Sequence, residues 1–262
     1  MRGITLSTTS NAPISIAFGQ AQFVTDDTLL TTGYEFSEDG RRLGIWACYN
    51  RPTAIWELKL DLASSNAQED SSSNIVVLST TKLSDPSRAS RSPRPIPGTS
   101  AALWLSHALG GPHASCSSLH RVSLDGGGTS TKVLLPVVDK IREDVLDGLA
   151  GLYVDSLLPR PFVHLGSRVY LLTRTSQRSR LEVILVDLEQ PECVVRLTPP
   201  ESADDLWSWF PLATDGREWV LASRSAPTVP NELILGRLDD HGGRPKVSWQ
   251  VIEKPSLTPR GE

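Results

Sequence analysis

Four stretches of this 262-residue chain share one arrangement of apolar and polar positions. In each, a mostly apolar run closes on Leu or Val and is followed at once by Asp. They are Ile55–Asp61, Leu119–Asp125, Leu181–Asp187 and Leu233–Asp239. Their terminal aspartates lie 64, 62 and 52 residues apart, in that order. A period of that length holds four short strands with their turns, and repetition at such a period is the sequence sign of a repeat architecture. Each run follows a more hydrophobic one, namely Leu43–Tyr49, Ala102–Leu105, Val169–Leu172 and Trp219–Ser223, which is expected to be its ladder partner. After each Asp comes a polar turn and another apolar run, at Ile75–Leu78, Val133–Val138, Val194–Val195 and Val247–Ile252.

The separators carry hairpin chemistry. Asp125–Gly128, Asp215–Gly216 and Asp240–Gly243 place Gly beside Asp, where Gly supplies the positive φ of a tight turn and Asp tolerates it. Alternating strands, short hairpins and a regular period predict an all-β chain, a partial β-propeller of about four blades. Each blade is expected to be a short antiparallel four-stranded sheet. The propeller is expected over residues 1–253, with blades near 18–85, 86–140, 148–198 and 204–253, and residues 254–262 read as a linker-like tail. Helical spacing is weak, and Asp139–Leu149 reads as an inter-blade crossing with about one turn of helix. Seven tryptophans, at 46, 56, 104, 207, 209, 219 and 249, suit packing between sheets better than base stacking. Ala63–Asn74 (Ser-rich and acidic) and Asp85–Gly98 (rich in Pro and Arg) read as solvated connections, with a docking or phosphorylation segment as the sharper alternative.

Charge narrows the partners. The net charge is −4 and the 26 basic residues are scattered, so no concentrated positive face for nucleic acid is expected. Cys48, Cys116 and Cys193 are an odd number, far apart and without CxxC spacing, which argues against a disulfide framework or zinc site and for reduced thiols in the cytoplasm. The Met1–Thr5 start has no signal-peptide pattern, and no run approaches the ~20 apolar residues that cross a bilayer. No membrane partner is expected.

A family resemblance enters at particular residues. Arg42–Arg51, followed by the strand ending at Asp61, resembles the propeller of acylaminoacyl-peptidases, members of the prolyl oligopeptidase clan. Gly19–Ala21, Ser92–Arg94, Gln177–Arg180 and Ser225–Pro230 resemble the same propeller, in the same order, so that the likeness runs from about Gly19 to Leu238. The resemblance implies a propeller preceding an α/β-hydrolase domain, in an enzyme that releases an N-acylated residue from a short peptide. There the propeller would gate entry of short N-acylated peptides, which become partners only in the full-length parent. The expectation for this chain is a non-catalytic propeller fragment, with opening blades and hydrolase domain lying outside it. The alternative is a stand-alone propeller serving protein interaction. An open arc leaves blade faces uncovered, so self-association through them is also expected.

A hydrolase of that clan needs its Ser on a GxSxG elbow, and the chain has none. The runs around Ser100 and Ser130 both lack the closing Gly. Leu109–His113 is similar to the clan's HGGPH oxyanion loop, but Leu stands in the first His position and the run falls between strands, so it reads as a turn. His107, His113 and Cys116 have irregular spacing for zinc. Asp26–Asp27, Asp204–Asp205 and Asp239–Asp240 are adjacent pairs whose side chains would point to opposite faces of a strand. His164 and His241 sit in loop-like sequence. No catalytic, metal-binding or cofactor-binding residue is assigned, and no cofactor is expected.

Overall fold

The computed structural model describes residues 4–6, 14–35, 41, 51–61, 76–110, 116–125, 131–138, 149–177, 180–199, 206–241 and 244–255. Among these every regular element is a strand, and the strands form antiparallel sheets. The fold class is the expected one, an all-β partial propeller. The chain divides into two compact units, Met1–Val133 and Leu134–Glu262, each built on two sheets.

In the first unit, sheet one runs β1 (Ile4–Leu6), β2 (Ile14–Phe23), β3 (Thr28–Glu35), β4 (Ala54–Asp61) and β5 (Val76–Lys82), in that spatial order. Sheet two runs β6 (Arg88–Pro95), β7 (Ala101–Ala108), β8 (Ser118–Ser123) and β9 (Thr131–Leu135), the last crossing the unit boundary. Strand periodicity divides β4 between two cores. Ala54, Trp56, Leu58 and Leu60 pack together on one face, whereas Ile55 joins Leu30, Leu83, Ala102, Trp104 and Val122 between the sheets. β6 lies against β2, β3 and β4, so the second sheet stacks on the first through its leading strand.

The second unit repeats this plan. Its sheets are β10 (Phe162–Leu165), β11 (Arg168–Gln177), β12 (Arg180–Asp187), β13 (Val194–Arg196), then β14 (Ser208–Thr214), β15 (Trp219–Ala226), β16 (Val229–His241), β17 (Arg244–Glu253). Leading strand β14 lies against β11 and β12. Tyr170, Leu172, Val183 and Leu185 of one sheet meet Trp209, Val220, Ala222 and Ile234 of the other in a shared core. Turn chemistry follows the Asp-Gly expectation at the β14–β15 hairpin. Asp215 Oδ1 accepts the N–H groups of Arg217 and Trp219, each at 2.9 Å, and Gly216 takes φ +81°. The repeat Asp at 187 works similarly: it is buried, accepts the N–H of Glu189 at 2.9 Å and of Gln190 at 3.2 Å, and pairs with Arg168 at 2.8 Å.

Two sequence expectations need correction. Asp85–Gly98 is not a solvated connection or a docking segment, because Arg88–Pro95 is a strand and six of its eight residues are buried. Its polar composition hides this, since the Arg and Ser side chains are satisfied by neighbours within the sheet. The expected pairing of Leu43–Tyr49 with Ile55–Asp61 also fails. β4 has only two edges, taken by β3 and β5, and residues 43–49 lie outside the described residues. Ala63–Asn74, the helical reading of 139–148 and residues 256–262 of the tail lie outside them as well.

Candidate functional site

Polar groups gather on both faces of sheet two. On one, Ser90 of β6 stands opposite Ser106 of β7, which stands opposite Ser118 of β8, with Arg88 and His120 on the same face, whereas Arg91 and His107 lie on the other. Arg88 donates to Ser106 Oγ (2.9 Å) and Ser118 Oγ (3.1 Å). Arg91 bonds His107 Nδ1 through one nitrogen and donates to Ser117 Oγ (3.0 Å) through another. Arg94 donates to Pro93 O at 2.7 Å, and burial lowers its pKa. Arg91 and Arg94 are 9% and 7% exposed, unusual for cations and the reason this strand reads as a loop in sequence.

A serine and a histidine meet here. Ser118 Oγ lies 2.8 Å from His120 Nε2, the i and i+2 positions of β8 that share one face. The contact is no nucleophile dyad. Ser118 is buried, its hydroxyl donates to Ser106 O at 2.9 Å, and Arg88 occupies its oxygen. Burial first, then the Arg88 charge, push the His120 pKa down to about 4, and the ring stacks on Trp104 at 6.0 Å and 9° from parallel. A hydroxyl so committed offers nothing to a carbonyl carbon, and a base must reach the proton it takes.

A second feature joins β2 of sheet one to β6 of sheet two. β2 is bulged between Gly19 and Gln22, and β6 between Arg91 and Arg94. Each bulge holds a non-glycine residue in the left-handed region, Gln20 at φ 51° and Ser92 at φ 60°. Such a residue costs roughly 1–3 kcal/mol and persists where its surroundings fix it. Here the two strained residues fix each other: Gln20 Oε1 accepts the Ser92 N–H at 2.8 Å and the Thr32 hydroxyl at 3.2 Å.

The second unit contributes a cavity of about 130 Å³, lined by Val154, Asp155, Ser156, Leu158, Thr173, Arg174 and Pro211. Its Arg174 lies over the Phe210 ring at 4.8 Å and faces Asp155 at 3.6 Å. In the same unit, Arg224 lies over the rings of Trp207 (4.3 Å) and Trp209 (5.2 Å) and pairs with Glu232 at 2.8 Å.

Among the described residues, those singled out in sequence do not assemble. His107 is buried against Arg91, Cys116 is half-buried, and His113 lies outside the described residues. Asp26, Asp27, Asp239 and Asp240 are exposed. Asp27 has its pKa lowered by hydrogen bonds from Thr25 and Thr28, as a turn residue would. Asp204 and Asp205 lie outside the described residues. Gly110 takes φ +74° in the turn after β7, where the HGGPH-like run begins. His164 is exposed on β10, not in a loop, and His241 ends β16. Sequence reading missed the Arg88–Arg94 and Ser118–His120 contacts. The available signal was the count of strands, because the second repeat lacks a fourth unless Arg88–Pro95 supplies it.

The sequence model of the acylamino-acid-releasing enzyme N-terminal domain matches residues 19–261. This chain belongs to that family. The mouse acylamino-acid-releasing enzyme is 30% identical over 255 residues, covering 97% of this chain and 31% of the mouse protein. The Arabidopsis thaliana enzyme is 30% identical over 223 residues, covering 83% of this chain and 28% of that protein. The chain therefore spans about a third of the length of these relatives. The match to the acylamino-acid-releasing enzyme N-terminal domain spans both bulges that Gln20 links. Among solved structures, Zg3597, a family 117 glycoside hydrolase from Zobellia galactanivorans, aligns with 98% of this chain and 76% of its own. The TM-score is 0.44 and the identity 10%, too loose to bear on function.

Proposed function

We propose that this chain is the non-hydrolytic propeller portion of an acylaminoacyl-peptidase, restricting a hydrolase domain to short N-acylated peptides. Membership of the N-terminal domain family over residues 19–261 is the observation that carries the reading. The sequence supports it by lacking a GxSxG elbow, and the structure by committing Ser118 to internal hydrogen bonds. A rigid sheet assembly at an entrance is a steric filter, and it also keeps bulk water from the reacting bond, which strengthens electrostatics there. N-acylated peptides are partners in that context and not of this chain in isolation. Self-association, or association with the hydrolase portion, would cover exposed apolar side chains such as Phe23, Leu78 and Leu206.

The test joins this chain to the remaining C-terminal portion of the mouse relative. Cleavage of acetyl-alanyl chromogenic substrate is compared with cleavage of long acetylated polypeptides, with and without this chain. Preference for the short substrate should rise when the chain is present. Equal cleavage of short and long substrates in its presence would refute the filter.

A further inference from the structure

We infer that the β14–β17 sheet, on the face turned away from the core it shares with β10–β13, is a dimerisation surface that takes a second copy of this chain about a two-fold axis between β15 and β16. The inference makes specific the self-association named above and stands apart from the entrance filter.

Strand register defines this face. Trp219, Leu221 and Ser223 of β15 stand opposite Arg237, Leu235 and Leu233 of β16, while Val220, Ala222 and Ile234 at the alternate positions fill the shared core. Leu221, Leu233 and Leu235 are half-buried and Trp219 is 38% exposed. Ser248 and Gln250 of β17 continue the face beyond β16 and are exposed. The centre is therefore apolar and the border polar, which is how protein interfaces are built. The central strands β7 and β12 are buried on both faces, whereas β16 is buried at alternate positions. Two features select a second copy as the cover. The first is self-complementarity. Facing sheets keep their strand directions within about 30°, so an axis close to the strand direction lays β15 of one copy over β16 of the other. Leu221 then meets the partner's Leu235. Trp219 meets the partner's Arg237, a guanidinium that in its own chain already lies 5.8 Å from the Trp219 ring. The border carries both signs, with Arg237 and Glu218 paired at 3.0 Å and Asp239 opposite Lys246, so the same end of two copies meets without a surplus of like charge. The second feature is area. Four strands about 4.8 Å apart, with β15 eight residues long at about 3.3 Å each, span about 500 Å². Two such faces give about 1,000 Å², the size at which specific interfaces begin, and a weak dimer is expected, with a dissociation constant on the order of ten micromolar.

Sedimentation velocity of the full chain across this concentration range is the test, and a shift from one to two chain masses is expected. Leu235→Glu and Trp219→Glu should each weaken association at least about tenfold. Trp219 is already exposed, so its variant should keep the melting temperature and separates lost docking from lost folding. Phe23→Glu, at a side chain 63% exposed in the first unit, should leave the dimer intact. Positions 221 and 235 face each other across the axis, so Leu235→Glu mixed with Leu221→Arg should form a heterodimer tighter than either variant forms alone. A chain monomeric at every concentration, or a dimer undiminished by Trp219→Glu, would overturn the inference, as would a mixture that associates no better than its components. So would a monomer that binds the C-terminal portion of the mouse relative and loses that binding in Trp219→Glu, because the face would then belong to the hydrolase portion. That last result leaves the filter standing, since the filter is judged by substrate preference alone.

Discussion

His120 is held neutral by its surroundings, and this couples one side chain to the pH dependence of stability. Its pKa falls from 6.5 to about 4, first by desolvation and then by the nearby Arg88 charge. The folded state therefore binds its proton less readily than the unfolded chain. Stability from this group is complete above about pH 6.5 and is lost as pH falls toward 4. At ~1.36 kcal/mol for each tenfold change in proton affinity, the loss approaches roughly 3 kcal/mol. Denaturant unfolding measured from pH 7 to pH 4 should show that decline, and His120→Gln should flatten it. Gln20 belongs to the same scale. Gln20→Ala removes the acceptor for the buried Ser92 N–H while leaving both left-handed residues in place. A loss of about 1–3 kcal/mol is expected in the same unfolding measurement.

Among the strands, β16 and β17 show how one position can fix a pairing. Gly236 stands opposite Trp249 in the ladder, and a Cβ there would sit 2.5 Å from Trp249 Cζ3 and 2.8 Å from Val247 Cγ2. The indole covers the glycine as a larger neighbour could not. Gly236→Ala should destabilise by about 1–3 kcal/mol, the usual range for overpacking. Trp249→Leu should cost less in the Gly236→Ala background than in the wild type, a non-additive pair read from thermal melts of the single and double variants. This element was half legible in advance. The Leu233–Asp239 run and Val247–Ile252 both announce strands by their apolar alternation, and both are strands. Nothing in their sequence announces the close approach at 236, because a glycine in a strand has several possible reasons. β6 was illegible for a different cause. Strand recognition relies on apolar alternation, and this strand is buried through arginines, serines and prolines whose polar atoms find partners only once β7 and β8 are alongside. The same distance in sequence hid Ser118 and His120 from Arg88, which lies 30 residues before Ser118.

At the level of the whole chain, the repeated Asp-terminated runs were enough to place the polypeptide among all-β sheet arrays, and the family match over residues 19–261 agrees with the family resemblance. The cavity between residues 154–158, β11 and β14 had no such sign, since its lining comes from three separated segments. Function at this scale makes one plain demand: purified chain by itself should give no turnover of acetyl-alanyl chromogenic substrate. Turnover that disappears in Ser118→Ala would overthrow the account of that serine. A last consequence concerns the tryptophans of the second unit. The Trp209 and Trp249 rings lie 5.2 Å apart at 49°, and Trp249 Nε1 donates to Leu197 O at 2.8 Å. Two indoles this close and this tilted couple their electronic transitions, so the protein carries its own optical gauge. A bisignate circular dichroism band should mark the docked final strand and vanish when that strand peels away, before the rest of the backbone signal changes.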